Sequence, residues 1–100
     1  SKIDYSLADK YKNALNDNIE YLQPVIDQLC KHNNITFPSA YEAGTIFADF
    51  RNKIAHGNPE EIKSIHCVLY EIARAMIYIM ILKMSDADNK SIKTIISKLF

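Results

Sequence analysis

The amino-acid sequence predicts an all-α bundle of four to five helices, and three observations support this fold class. Four stretches of the 100-residue chain repeat apolar residues in steps of three and four, and none alternates with the period of a strand. Helix-capping signals precede several of these stretches. With 48% hydrophobic residues, two Gly and three Pro, the chain is expected to form one globular domain over residues 1–100.

The first helical stretch begins near Ser6, because Ser6 and Asp9 have the spacing of a capping box. Its apolar stripe contains Leu7, Tyr11, Leu15, Ile19, Leu22, Ile26 and Leu29. Since this stripe continues through Pro24, we expect one long helix to about His32, with a kink near residues 20–24. Two helices that meet there are the alternative.

The second helix is predicted from a second S-x-x-E signal, at Ser39 and Glu42, after a connection over residues 33–38. It is expected to end at Gly57, because glycine suits the position that follows a helix C-terminus.

The third helix is expected to start immediately after Gly57, with Asn58 as N-cap, Pro59 in the first turn and Glu61 closing a capping box. It should run to about Met84. Because its second half is apolar nearly all round, we expect it to be the central, buried helix of the bundle.

The chain ends in a predicted turn and a short helix. Residues 86–91 resemble the start of a calcium loop, but Lys90 replaces an oxygen ligand and Ser91 replaces the required glycine. This segment is therefore interpreted as a helix-capping turn. The last helix is marked by Ile92, Ile95, Ile96 and Leu99.

Charge and targeting signals limit the function classes. The chain has 12 Lys+Arg and 12 Asp+Glu, and this formal net charge of zero excludes a strongly basic domain that binds nucleic acid along its whole surface. No signal peptide opens the chain, and the longest apolar run, residues 75–82, is too short to span a bilayer. We expect a cytoplasmic protein without membrane contact. Since no Met precedes Ser1, we expect a domain excised from a larger protein.

Two Cys/His pairs are candidates for a metal site: Cys30 with His32, and His66 with Cys67. Adjacent residues on a helix diverge by about 100° and do not readily ligate one ion. We expect no metal and no cofactor, with both thiols buried and reduced and both imidazoles on the surface. His32 and His66 remain candidates for an auxiliary group in a catalytic cleft.

The helix between Ser39 and Gly57 has three faces on a helical wheel. An apolar face, expected to meet the core, contains Ala43, Ile46, Phe47, Phe50 and Ile54. A charged face contains Glu42, Asp49 and Lys53. The third face contains Gly44, Thr45, Ala48, Arg51, Asn52, Ala55 and His56.

Small residues dominate the third face, and small residues let another backbone approach closely. We interpret this face as an interface between two subunits, with the polar residues at its end. The residues assigned to the dimer interface are Gly44, Thr45, Ala48 and Ala55. The alternative is that the small residues pack against another helix of the same bundle.

Arg51, Asn52 and His56 are the candidate catalytic residues. On an ideal helix Arg51 and His56 point about 140° apart, so they converge only if the last turn unwinds or if two chains share the site. Asn52 and His56 face the same way. The carbonyl dipoles at a helix C-terminus favour the protonated form of His56.

A titrating histidine beside a permanently charged guanidinium suits phosphate-ester chemistry on RNA. The His56 imidazole would transfer protons, Arg51 would stabilise the phosphorane, and Asn52 would orient the phosphate or the histidine. The alternative is structural: His56 stabilises the helix end, and Arg51 pairs with Glu20 or Glu71.

Lys53 and Tyr41 are assigned to substrate binding. Lys53 is a cation next to the candidate site, and Tyr41 on the third face is placed to stack on a base. The alternative for Tyr41 is that it covers the edge of the dimer.

Residues 50–57, FRNKIAHG, resemble the signature of the HEPN superfamily: Arg, a polar residue, three more residues and then His at the end of a bundle helix. The following NPEE turn and long apolar helix are also similar, particularly to the HEPN domain of ApeA-like bacterial defence proteins. The resemblance is specific over about residues 47–62. It implies a four- or five-helix domain that dimerises and acts as a metal-independent endoribonuclease.

On this resemblance the catalytic Arg and His are Arg51 and His56, Asn52 is the polar residue, and two copies form a composite cleft. RNA would be cut by 2′-hydroxyl attack, in bacterial anti-phage defence or a toxin module. Further partners would be other domains of a larger parent protein or an antitoxin. Some members are inactive, so a silent dimerisation or partner-binding module and a nucleotide-binding module are the alternatives.

Overall fold

The helical periodicity of the sequence corresponds to five α-helices in the computed structural model, which describes residues 6–57 and 61–100. The helices are α1 (Leu7–Asp17), α2 (Ile19–Asn33), α3 (Ala40–Ala55), α4 (Ser64–Met84) and α5 (Asn89–Leu99). These two ranges contain no strand, and the predicted all-α bundle is confirmed.

The first predicted helix is divided in two at Asn18, so the expectation of one long helix is wrong. The alternative of two helices is correct in number, but the helices meet at Asn18 and not at residues 20–24. The Asn18 side chain donates to the carbonyl oxygen of Ala14 at 2.8 Å and accepts from the Lys83 ammonium at 2.9 Å. The backbone carbonyl oxygen of Asn18 accepts from the N–H of Tyr21, in the first turn of α2. Asn18 thus makes hydrogen bonds with the end of α1 and with the start of α2, and the chain bends there. Pro24 lies within a continuous α2.

The predicted helix starts at Ser6 and Ser39 are confirmed. The Ser6 hydroxyl accepts from the N–H of Asp9 at 3.2 Å, and the Ser39 hydroxyl accepts from the N–H of Glu42 at 3.1 Å. The end of α3 is confirmed as well, because Gly57 follows the helix with φ of 70°, a left-handed conformation that favours glycine.

The start of α4 differs from the expectation. Asn58 and Pro59 lie outside the described residues, but residues 61–63 are described and are not helical, so the assignment of Glu61 to a capping box is wrong. Lys63 stands at the N-cap instead, and its N–H donates to Nδ1 of His66 at 3.0 Å. This hydrogen bond lies at the first turn of α4, which begins at Ser64, three residues after Glu61.

The C-terminal helix begins as predicted, at a capping turn. The Asp88 carboxylate accepts from the N–H of Ser91 at 2.7 Å, and this hydrogen bond lowers the pKa of the Asp88 carboxyl. Ile92 and Ile96 of α5 are buried, while Ile95 and Leu99 are largely exposed.

The core surrounds α4, which confirms its central place. The largest fully buried side chains are Leu15, Leu22, Val68, Leu69, Ile72, Ile79, Ile92 and Ile96. The C-terminal half of α4 is not buried all round, however, because one side of it is exposed. The exposed side chains are Ile77, Tyr78, Met80, Ile81 and Met84. Within the described ranges, α4 alone is long and apolar enough to cross a membrane, a property that core helices of soluble proteins share.

Candidate functional site

The candidate site is the C-terminal end of α3, which projects from the bundle. Phe50 is the last buried residue of this helix. From Arg51 to Gly57 every residue is exposed except Lys53, which is partly buried. Ile54, assigned to the core face by the helical wheel, is 53% exposed, so that prediction is wrong: the wheel gives the direction of Ile54 but not the point at which packing stops.

Arg51, Asn52 and His56 lie together on this projecting turn, but a single chain does not make their side chains converge. The N–H of His56 donates to the carbonyl oxygen of Asn52 at 3.0 Å, so the backbone keeps its helical course up to the C-cap. Arg51 and His56 therefore leave the helix in directions about 140° apart. Unwinding of the last turn, one of the two conditions for convergence, is therefore not met in this chain.

None of these three side chains makes a hydrogen bond or ion pair with another described residue. The carboxylate of Glu71 binds Arg74, at 2.9 Å, and that of Glu20 lies 4.0 Å from the Lys93 ammonium. Pairing of Arg51 with either acid, the structural alternative, is thus wrong within the described part of the chain.

The two residues assigned to substrate binding have different surroundings. The Lys53 ammonium forms an ion pair with the Asp49 carboxylate at 3.2 Å, one helical turn away. Tyr41 is 68% exposed, but it lies at the N-terminal end of α3, about 15 Å along the axis from Arg51. One chain does not bring Tyr41 to the catalytic candidates, and both assignments stay predictions.

The small-residue face of α3 is divided between two environments. Gly44 is buried against α1: a Cβ atom at this position would lie 2.4 Å from the carbonyl oxygen of Ala8. Gly44 is therefore occupied within the chain, which corrects its assignment to a dimer interface. Ala48 is partly buried, whereas Thr45 and Ala55 are exposed. A dimer contact through the last three residues stays a prediction.

His66 is the one neighbouring residue whose environment the sequence analysis missed. Its ring is 92% buried and stacks on Phe50, with 3.9 Å between ring centres and 13° between planes. The expectation of a surface imidazole is wrong here, and so is that of a buried thiol at Cys67, which is exposed. The signal was present in the sequence, because His66 precedes the buried Leu69 and Ile72 in steps of three.

The other cysteine and histidine pair follows the expectation. Cys30 is buried, and burial raises the pKa of its thiol, with a smaller contribution from the Asp27 carboxylate. His32 is exposed near the end of α2. No group of three or more potential metal ligands occurs among residues 6–57 and 61–100.

Comparison with known proteins identifies no relative: no family model, no curated protein and no solved structure matches the chain. The site is therefore interpreted from the chemistry of its own residues.

Proposed function

We propose that this chain is a HEPN-type endoribonuclease domain, in which Arg51, Asn52 and His56 cleave RNA without a metal ion. The observation that supports this proposal is the environment of the three side chains. They lie at the exposed end of a bundle helix and have no structural partner among the described residues. Exposed polar side chains at the end of a helix, without a partner among the described residues, suit a site for an external ligand.

The proposed reaction is an internal transfer at phosphorus. The RNA 2′-oxygen attacks the adjacent phosphorus and loses its proton, the bond from phosphorus to the 5′-oxygen breaks, and that oxygen gains a proton. The products are a 2′,3′-cyclic phosphate and a 5′-hydroxyl. The His56 imidazole carries one of these protons, the Arg51 guanidinium stabilises the negative phosphorane, and Asn52 orients the phosphate or the imidazole.

The proposed site is shared by two copies of the chain. Arg51 and His56 diverge on one α3 helix, so the proposed site combines Arg51 of one copy with His56 of a second copy. A two-fold axis beside the end of α3 creates two such sites at once. The exposed Thr45 and Ala55 are available for this contact, whereas Gly44 is not.

A catalytically silent partner-binding module is the second candidate, and one observation favours it. The C-terminal half of α4 carries a contiguous set of exposed apolar side chains at helical spacing: Ile77, Met80, Ile81 and Met84. Surfaces of this kind mark protein contacts. Another domain of a larger parent protein, or an antitoxin, is the partner proposed for it.

Cleavage of labelled RNA in EDTA tests the enzyme proposal. We expect the wild-type chain to produce 2′,3′-cyclic phosphate ends, and His56→Ala and Arg51→Ala to lower the rate by about 100-fold or more. His32→Ala is the matched control, because His32 is also an exposed histidine near a helix C-terminus. A folded wild-type dimer that leaves RNA intact would favour the silent module.

A further inference from the structure

A groove lies between α3 and the start of α4. The groove has a volume of about 270 Å³ and is lined by Ile46, Asp49, Lys63, Ile65 and His66. It contains neither Arg51 nor His56.

His66 presents one unsatisfied donor here. Its Nδ1 accepts from the N–H of Lys63, so in this hydrogen-bonding pattern the ring is neutral and carries its proton on Nε2. Nε2 makes no hydrogen bond to any described residue. No side-chain nitrogen or oxygen in the described part of the chain is both fully buried and unpaired, so Nε2 is accessible to solvent, and His66 is one of the residues that line the groove. A ring that is nine-tenths buried thus offers one N–H to a ligand.

The start of α4 adds further donors. The N–H groups of Ser64 and Ile65 have no acceptor within the helix, and Lys63 at the N-cap has no side-chain acceptor to offer them. A 21-residue helix also places partial positive charge at this end. The Lys63 ammonium is exposed beside them. Together these groups have the composition of an anion site.

The charge balance around the groove favours an anion of low charge. Asp49 lines the groove, but its carboxylate is ion-paired with Lys53 at 3.2 Å. Lys63 also lines the groove, and its ammonium forms no ion pair with a described residue. A phosphodiester carries one negative charge and accepts hydrogen bonds through its two non-bridging oxygens.

The groove shares α3 with the candidate catalytic residues, because Asp49 lines it. Asp49, Lys53 and His56 follow each other in steps of four and three, so they lie along one side of α3. An RNA strand that passes His56 along this side of the helix reaches the groove. The inference rests on the proposed function in this respect.

We propose that the groove is a phosphodiester subsite, in which His66 Nε2–H, Lys63 and the first-turn N–H groups of α4 bind an RNA phosphate next to the one that is cut. His66 is a binding residue in this account and takes no part in proton transfer. The subsite would position RNA without a strongly basic surface.

The test is NMR of the imidazole nitrogens of the full chain during titration with a 2′-O-methyl tetraribonucleotide, which lacks an attacking hydroxyl. We expect His66 to give the neutral form protonated on Nε2, and its Nε2–H resonance to shift with added oligonucleotide while His32 stays unchanged. A shift at His56 without one at His66 would overturn the subsite and leave the proposed function intact. Shifts at His66 in a chain that does not cut RNA would support the subsite and contradict the proposed function.

Binding of the same oligonucleotide to variants completes the test. Lys63→Gln keeps the backbone N–H that His66 accepts and should weaken binding roughly tenfold. The matched control is Lys98→Gln, an exposed lysine on α5, and it should bind as the wild type does. His66→Asn retains an acceptor near the Nδ1 position but has no Nε2–H, and it should weaken binding by a similar factor. Equal affinities for Lys63→Gln and Lys98→Gln would overturn the proposal.

Discussion

The two ends of α3 differ in what surrounds them, although the sequence gives them one continuous face of small and polar residues. At the N-terminal end Gly44 lies against the backbone of α1, and the Phe47 ring lies 4.5 Å from the Tyr11 ring. At the C-terminal end Arg51 and His56 are exposed and have no partner among the described residues. Packing within the chain thus covers Gly44 and leaves Arg51 and His56 exposed.

Phe50 marks the boundary between these two ends. It is buried and stacks on His66, whereas the next apolar residue of the same face, Ile54, is 53% exposed. The helix is therefore anchored up to Phe50 and projects beyond it.

The largest effect is predicted for a substitution that removes the buried Phe50 side chain. Phe50→Ala should lower the free energy of unfolding by about 3–5 kcal/mol, because it leaves a cavity and deletes the stack on His66. Ile54→Ala should change it by no more than about 0.5 kcal/mol, since the side chain is largely solvated. Urea denaturation of both variants measures the contrast, and equal losses would contradict the proposed boundary.

The next effect concerns the contact between α1 and α3. Gly44→Ala places a methyl group 2.4 Å from the carbonyl oxygen of Ala8, a backbone atom, so the helices must separate. This should cost about 1–3 kcal/mol despite the higher helix propensity of alanine, and Gly44→Leu should cost more. The control is Thr45→Ala on the exposed neighbour, which should be near neutral. Wild-type stability in Gly44→Leu would contradict the close packing.

Gly57 offers a contrasting glycine at the other end of α3. No atom of the described residues lies within 4 Å of a Cβ at this position, but its φ is 70°. Gly57→Ala should therefore cost about 1–2 kcal/mol through backbone strain alone, and Gly57→Asn less, because asparagine tolerates the left-handed region. Thermal unfolding of the two variants tests this order, and a larger loss for Gly57→Asn would be against it.

A smaller, pH-dependent effect reports on the packed end of α3. The Tyr11 hydroxyl donates to the carbonyl oxygen of Leu69 at 2.6 Å, and burial raises the pKa of Tyr11 above its ordinary value. The unfolded chain loses this proton first, so stability falls as the pH rises above about 10, by up to about 1.4 kcal/mol per pH unit. The pKa of Tyr21 is raised as well, chiefly by burial, and shifts stability in the same direction.

Tyr11→Phe tests the origin of this pH dependence. It should cost about 1 kcal/mol at neutral pH, where the hydrogen bond to Leu69 is lost, and it should make the alkaline decline shallower. Urea denaturation at pH 8 and pH 10.5 measures both, with Tyr41→Phe on an exposed ring as the control. An unchanged slope in Tyr11→Phe would assign the decline to other groups.

Much of the fold was predictable because its signals are local. The caps at Ser6, Ser39 and Asp88 each require only a side chain and an N–H three residues later. The boundary at Asn18 was misplaced because the apolar stripe continues across it, so periodicity does not reveal it.

The position of the candidate residues on α3 was predictable, but their surroundings were not. The helical wheel placed Arg51, Asn52 and His56 correctly at the end of one helix, but it does not contain the neighbours that decide burial. The contact of Gly44 with Ala8 and the stack of Phe50 on His66 join distant parts of the chain. Those contacts decide which residues of α3 pack and which stay free.

The most direct test of the central claim uses a mixed dimer. Arg51→Ala and His56→Ala chains are co-expressed with two different tags, and dimers carrying both tags are isolated. If each site combines Arg51 of one copy with His56 of the other, the mixed dimer has one intact site and should cut RNA at about half the wild-type rate, while each variant alone is inactive. A mixed dimer as inactive as its parents, beside an active wild type, would contradict the account.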